Sequence, residues 1–358
     1  MKVVFRVDAS TRMGTGHLMR CLTLAEVLRE RGADVRFICR EHAGNLIALL
    51  GQKGVQAVVL PISANNGTMH GDDYAAWLGV TQEEDAEQTI KALGGDIPDW
   101  LVVDHYGLDV EWEQRLRPYI GRILAIDDFT NRHHDCDVLL DQNYSLNGEQ
   151  RYAGLIPPLC RTLLGPGYAL LRKEFRVLRE RNGARPSGLE KILVFFTAGD
   201  DQGETLKAMH GIEMFGKVER VDVVVGQSNP DNAAIKAKCD ELHWGYHCQV
   251  DYMPSLIAQA DLVIGAGGSS NWERCALGVP ALVAVLAENQ APIARALDAA
   301  GMICSLGWNH GLQAMDYANA LNGLSRDRLA AMSEKAMALV DAKGAERVAD
   351  ILLASYNS

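Results

Sequence analysis

The chain has 358 residues, 48% of them hydrophobic and 23% charged, with a formal net charge of −11; two α/β domains of roughly 150–200 residues each fit that length. The acidic balance argues against a nucleic-acid partner, which wants a basic face, and no apolar run approaches the roughly 18–20 residues that span a bilayer. Lys2 and Arg6 interrupt what would be the apolar region of a signal peptide, so a cytoplasmic protein with no membrane partner is expected. The eight cysteines lie mostly in apolar runs and form no Cys-x-x-Cys, which reads as small buried hydrophobes rather than a zinc site or disulfide frame.

Lys2 to Val7 is a strand-like apolar run without turn residues. It leads into Asp8-Ala-Ser-Thr-Arg12-Met-Gly14-Thr15-Gly16-His17, after which Leu18, Cys21, Leu22, Leu24, Ala25 and Leu28 recur at helical spacing up to Arg31-Gly32. The segment is a strand-to-helix turn: glycines let backbone approach a ligand, and a helix N-terminus offers N–H groups and partial positive charge to an anion. The same field disfavours imidazolium, so His17 tends toward the neutral form that accepts a proton. The spacing fits neither the dinucleotide fingerprint nor the P-loop. On the residues alone, His17 either packs the first helical turn or faces a ligand.

Further strand-like runs, Asp34–Cys39, Val55–Leu60, Trp100–Asp104, Arg122–Ile126 and Asp137–Leu140, alternate with helical patterns, the mark of a parallel sheet covered on both faces. Between Leu60 and Trp100 lie a polar insertion, Asn65-Asn66-Gly67 to Gly71-Asp72-Asp73, and an acidic helical segment, Glu83 to Thr89, read as a solvated face or a binding element. His133-His134-Asp135-Cys136-Asp137 with Asp127-Asp128 has metal-ligating residue types, but neighbours on a strand face opposite ways and cannot all converge. No metal or other cofactor is expected.

Gly183 to Gly188 breaks the periodicity with turn-forming residues and divides the chain into domains 1–182 and 189–358. Alternation resumes with Lys191–Phe196, Val221–Val225, Ala260–Ile264, Ala281–Val285 and Met302–Ser305, and closes in an amphipathic stretch from Leu329 to Leu353 whose helices are free to pack back on the first domain. Two such halves bind ligand in the cleft at the carboxyl ends of their strands. In the second half Asp261-Leu-Val-Ile264 opens into Gly265-Ala-Gly267-Gly268-Ser269-Ser270 and a helical pattern from Asn271, a second anion-ready turn carrying hydroxyls. Glu273, one turn inside that helix, either accepts from a pair of sugar hydroxyls or only complements the helix dipole.

Arg6-Val-Asp8 with Gly14-Thr-Gly16-His17, Val103-Asp104-His105-Tyr106-Gly107, Ile126-Asp127-Asp128, His134 to Leu140, Gly167-Tyr168 to Arg172, Gly267 to Glu273 and Glu288-Asn289-Gln290 resemble, in order and spacing, the bacterial UDP-sugar hydrolases of pseudaminic acid biosynthesis and a spore-coat polysaccharide relative. Trp77-Leu-Gly-Val with Glu83 to Thr89 also looks like a family segment, which weakens the solvated-face reading. The resemblance covers roughly residues 2–300. It implies a GT-B-like fold of two Rossmann-type parallel-sheet domains with an interdomain cleft. It also implies hydrolysis of UDP-2,4-diacetamido-2,4,6-trideoxy-β-L-altropyranose to UDP and free sugar. The residue matching His17 is then the general base, Asp8, Arg12, Tyr106, Asn289 and Gln290 lie at the sugar, and Gly16, Gly199, Gly267, Gly268, Ser269, Ser270 and Glu273 lie at the nucleotide. The chain departs from the family's Gly-Gly-Ser/Thr-Asp at Ala198-Gly199-Asp200-Asp201, where Asp200 would repel a diphosphate if it pointed inward.

Expelled UDP is already a stable anion, so no separate general acid is required, unlike in most glycosidases. One base for water and a cradle for the diphosphate suffice, and direct attack inverts the anomeric centre. Two rivals remain: a GT-B transferase moving the sugar to an acceptor, and a non-catalytic sugar-nucleotide-binding protein. The exact sugar and the oligomeric state stay open.

Overall fold

A computed structural model describes residues 1–62, 74–146, 148–181 and 188–356. The chain forms two compact units: Met1–Asn143 with Asn147–Leu170 and Lys343–Ser358, and Tyr144–Leu146 with Leu171–Ala342. The polar insertion and the interior of the expected linker lie outside the described residues.

The first unit is built on seven strands: β1 (Lys2–Val7), β2 (Asp34–Arg40), β3 (Gln56–Leu60), β4 (Trp100–Asp104), β5 (Arg122–Ile126), β6 (Val138–Asp141) and β7 (Arg161–Leu164). They form one sheet in the order β3-β2-β1-β4-β5-β6-β7, with every pairing parallel. Val3, Phe5 and Val7 pack on one face with Leu18, Leu22 and Leu28 of the helix Gly16–Glu30 and with Val348 and Leu352 of the helix Gly344–Tyr356. Val4, Leu101 and Val103 pack on the other with Ala86, Leu93 and Trp112. Opposite faces are thus covered by helices, as a sheet of doubly apolar strands requires.

The acidic segment is the helix Gln82–Leu93, capped by Thr81 Oγ1, which accepts from the Glu84 amide at 3.1 Å. Its Asp85 is buried and accepts from Arg6 Nε (3.1 Å) and Nη2 (2.6 Å), from Arg40 Nη2 (2.6 Å) and from Trp112 Nε1 (3.0 Å). One carboxylate therefore fastens this helix to β1 and β2, a role that is neither solvation nor ligand binding.

The second unit holds β8 (Lys191–Phe195), β9 (Arg220–Val225), β10 (Gly245–Cys248), β11 (Leu262–Ala266), β12 (Ala281–Val285) and β13 (Cys304–Trp308), parallel in the order β10-β9-β8-β11-β12-β13. The helix Lys173–Arg181, ahead of the expected linker, packs within this unit: Phe175 is buried, and Arg179 donates to Ala276 O (2.8 Å) and Met337 O (2.9 Å). β11 ends two residues beyond the expected run, because Gly265 and Ala266 still pair with β12.

β7 and β10 were not anticipated. Both are short edge strands with exposed positions, so neither shows an uninterrupted apolar run. The stretch from Leu329 to Leu353 falls in two helices, Arg326–Leu339 and Gly344–Tyr356. Val340 is extended and Ala342 takes a positive φ of 59°, which ends the first helix. Among the described residues no helix is long and apolar enough to cross a membrane.

Candidate active site

The loop after β1 is held by its own backbone. Gly14 N donates to Ser10 O at 2.9 Å, Ser10 Oγ accepts from the amides of Arg12 (3.2 Å) and Met13 (2.9 Å), and Thr11 N donates to Ala43 O (2.9 Å). Gly14 has φ +75°, which favours glycine. The helix then begins at Gly16, and its cap residue Thr15 makes no side-chain cap bond.

In the sheet register Val7, the last residue before this loop, pairs with Asp104 at the end of β4. That pairing brings Asp104 to the first turn of the helix. His17 Nδ1 lies 2.6 Å from Asp104 Oδ1, while Arg20 reaches the same carboxylate through Nε to Oδ2 (2.6 Å) and Nη2 to Oδ1 (2.5 Å). Asp104 is buried, which opposes its ionisation, yet Arg20 and His17 outweigh burial and hold its carboxyl well below the usual carboxylate range. An ionised carboxylate only accepts, so His17 Nδ1 carries the proton that faces it, and in the neutral ring Nε2 is then the acceptor. This is the arrangement of a general base whose tautomer is set by a carboxylate.

Tyr106, two residues past Asp104, meets the His17 ring edge-on with centroids 4.6 Å apart. Its hydroxyl donates to Asp128 Oδ1 (2.7 Å), and Asn143 Nδ2 donates to Asp128 Oδ2 (2.8 Å). The phenol thus serves as a wall for the imidazole, its own proton being held by Asp128.

Asp8, expected at the sugar, is wholly buried. Its Oδ1 accepts from Arg6 Nη1 and the Arg40 amide, both at 2.6 Å, and its Oδ2 lies 3.5 Å from His105 Nε2 and 3.6 Å from His42 Nε2. Those four charged or polar neighbours make it an anchor of the sheet end rather than a ligand contact. His105 Nδ1 accepts from the Gly107 amide at 2.9 Å, and burial, partly opposed by Asp8, pushes its pKa down to about 3. The neutral ring therefore carries its proton on Nε2, which lies 3.5 Å from Asp8 Oδ2. Arg12 is exposed on the loop.

The histidine and carboxylate stretch ahead of β6 disperses onto separate partners. His134 Nδ1 meets Glu113 Oε1 at 2.8 Å and its Nε2 lies 3.4 Å from Asp127 Oδ2, whereas Asp135 and Asp137 both hold Arg117 (3.0 and 2.6 Å). Burial opposes charge on His134, but Asp127 and Glu113 outweigh it and push its pKa up to about 9. Cys136 Sγ lies 3.6 Å from Cys160 Sγ.

In the second unit the turn after β11 is organised by Gln290, whose Oε1 accepts from the amides of Gly267 (3.3 Å) and Leu286 (3.0 Å). Gln290 was expected at the sugar and Gly267 at the nucleotide. The Gln290 side-chain oxygen and the Gly267 amide are bonded to one another inside the loop. Asn271 Nδ2 donates to Gly267 O (2.8 Å), and a Cβ on Gly265 would lie 2.0 Å from Phe195 O, so glycine is obligatory there. Gly268, Ser269 and Ser270 reach the surface, as does Asn289 at the start of the helix Gln290–Ala299, and neither cap residue, Ser269 or Asn289, makes a side-chain cap bond. Burial raises the Glu273 carboxyl, with Arg172 and Arg274 opposing.

At the end of β8, Gly199 N donates to Thr197 Oγ1 (3.3 Å). Asp200 is exposed and accepts from the Gln202 amide at 2.7 Å within its own turn, while Asp201 is buried and accepts from Gly203 N (3.0 Å), Asn229 Nδ2 (3.2 Å) and Thr205 Oγ1. Both carboxylates of the departing motif are thereby engaged locally.

Asp104, Arg20 and Asp128 are the functional candidates that residue patterns missed. Arg20 carried one signal, its three-residue spacing from His17 on a helix face. Asp104 carried another, a carboxylate closing a buried strand at the ligand-binding end of a parallel sheet.

No family model matches the chain. It is 28% identical over 253 residues to the UDP-2,4-diacetamido-2,4,6-trideoxy-beta-L-altropyranose hydrolase of Campylobacter jejuni, an overlap of 70% of this chain and 79% of that protein. The chain is a relative of that hydrolase. It is also 23% identical over 363 residues to the spore coat polysaccharide biosynthesis protein SpsG of Bacillus subtilis, covering 99% of each. The resemblance stated from the motifs therefore holds over most of the chain. Among solved structures, Acinetobacter baumannii MurG superposes with a TM-score of 0.68 at 14% identity, covering 98% of this chain and 99% of its own. The Neisseria meningitidis UDP-GlcNAc 2-epimerase bound to UDP-GlcNAc gives 0.61 at 13%, covering 99% and 100%. With the two parallel sheets, these likenesses show a GT-B-like α/β fold.

Proposed function

We propose that this protein is a UDP-sugar hydrolase that cleaves UDP-2,4-diacetamido-2,4,6-trideoxy-β-L-altropyranose, or a close deoxyamino relative, to UDP and the free sugar on the way to pseudaminic acid. The observation that carries this reading is the His17–Asp104 pair: a half-buried imidazole with its Nδ1 proton on a buried, ionised carboxylate and its Nε2 left to accept. The Campylobacter jejuni relative, whose name states that reaction, supports the choice of substrate.

In this reading water attacks the anomeric carbon opposite the nucleotide. The new C1–O bond forms as the C1–O bond to the β-phosphate breaks, its electron pair leaves with UDP, and His17 Nε2 takes the proton of water and returns it to solvent. The product is inverted at C1. Tyr106 walls the base, the exposed Arg12 and the half-buried Asn289 are polar candidates at the sugar, and Gly268, Ser269, Ser270 and Glu273 serve the nucleotide.

His17→Ala should lower kcat for UDP release by at least about a hundredfold, with UDP affinity by calorimetry unchanged. Turnover near the wild-type rate would overturn the assignment. Turnover in oxygen-18 water separately tests the bond: label in UDP rather than in the sugar would mean attack at phosphorus.

A further inference from the structure

The rings beside His17 form a patch that proton transfer does not use. Around Tyr106 lie Phe129 at 4.5 Å, Tyr74 at 5.2 Å and Trp77 at 5.8 Å between centroids, and Tyr74 also touches Trp77 and Phe129, each at 4.8 Å. Tyr106 itself is buried, whereas Tyr74, Trp77 and Phe129 are only half-buried and so carry the cluster to the surface. The Arg132 guanidinium sits 5.7 Å from the Tyr106 centroid and 5.8 Å from that of Phe129, and it is tied to Asp127 and to the carbonyls of Tyr106 and Leu108. That fixed cation holds two of the rings in place, and the Tyr106 hydroxyl is already given to Asp128.

A wall of this kind suits a part of the substrate that asks for no hydrogen bond. In the sugar of the reading above, each acetamido group brings an N–H and a C=O that need partners, while the C6 methyl needs none. We infer that Trp77 and Phe129 form the subsite for C6 and select a methyl there over a hydroxymethyl, an inference that rests on the hydrolase reading. An aromatic pocket gains the methyl's transfer from water and loses part of the hydration of a hydroxyl it cannot bond. Such pockets reject an added hydroxyl only moderately, by roughly 10- to 100-fold in kcat/KM.

The test uses two UDP-linked diacetamido hexoses identical except at C6, methyl in one and hydroxymethyl in the other, with kcat/KM read by UDP release. Wild type should prefer the methyl compound by about 10- to 100-fold, and Trp77→Ala and Phe129→Ala should each cut that ratio about tenfold. Phe129→Leu, which keeps an apolar side chain, should hold the ratio within about threefold, and this sets loss of selectivity apart from loss of fold. A wild-type ratio near one, or variants that keep the wild-type ratio, overturns the inference. If wild type releases UDP from neither compound, the hydrolase reading fails, and calorimetry with the same two ligands then decides the subsite alone. Equal Kd values overturn it, and an approximately tenfold preference for the methyl compound upholds it.

Discussion

The turn after β1 and the turn after β11 each follow the carboxyl end of an inner strand of a parallel sheet, and they are built in opposite ways. The first is surrounded by charge: Asp104 with Arg20 and His17, and Asp8 with Arg6, His42 and His105. The second is made of small residues held by two neutral amides, Gln290 and Asn271, with one buried guanidinium, Arg274, donating to Ala266 O and Glu273 half-buried beside it. A proton acceptor needs a fixed tautomer and a counter-charge, which buried carboxylates supply. A holder of a diphosphate needs backbone that can come close, which side-chain charge of the wrong sign would spoil.

If the first turn is electrostatically set, Asp104→Asn should do the most damage. The amide no longer fixes the Nδ1 proton and leaves Arg20 without its partner, so kcat should fall by roughly 10²–10⁴ with UDP affinity retained. A loss under threefold would break the contrast. Next in size, Asp85→Ala should destabilise the first unit by about 3–5 kcal/mol, because buried Arg40 would lose its carboxylate and buried Arg6 would keep only Asp8; hydrogen exchange at β1 and β2 amides would report it, with β8 and β11 unchanged.

The sheet should also feel pH unequally. His134 is raised in the folded state, so its contribution is fully present below the unfolded pKa of about 6.5 and is lost as pH rises through about 9. Exchange protection around β5 and β6 should therefore decline across that window by an amount on the order of 3 kcal/mol, and His134→Gln should flatten the decline. Equal decline in the second unit would remove the distinction between the two halves. The smallest effect falls on the second turn: Gln290→Ala removes two hydrogen bonds and should weaken UDP binding by about 1–2 kcal/mol, seen as roughly a tenfold rise in Kd with kcat nearly unchanged.

Much of the scaffold was legible in the chain. Alternating apolar runs placed eleven expected strands within a few residues of their positions, and the two glycine turns stood out because a buried run stopped abruptly at residues that only a close approach requires. The edge strands β7 and β10 were not legible, since strands half open to solvent lose the unbroken apolar pattern. At the site, His17 was legible from its place at a helix start. Gln290 was not legible in its role, because its contacts are with backbone amides that any sequence would present. Asp8 was set at the sugar by the resemblance alone, which carries nothing of the arginines and histidines that enclose it in the fold.

By itself the sequence determined the two parallel-sheet halves, the position of both turns and the presence of a base candidate between strand and helix. Only the tertiary structure decided which charges meet. Asp85 finds Arg6 and Arg40, and Asp104 finds His17 across 87 residues, because β4 lies beside β1 and β1 beside β2. Local periodicity reflects which residues are buried near their neighbours in the chain. It does not encode the order of strands in a sheet, and that order alone makes His17 the partner of a buried carboxylate.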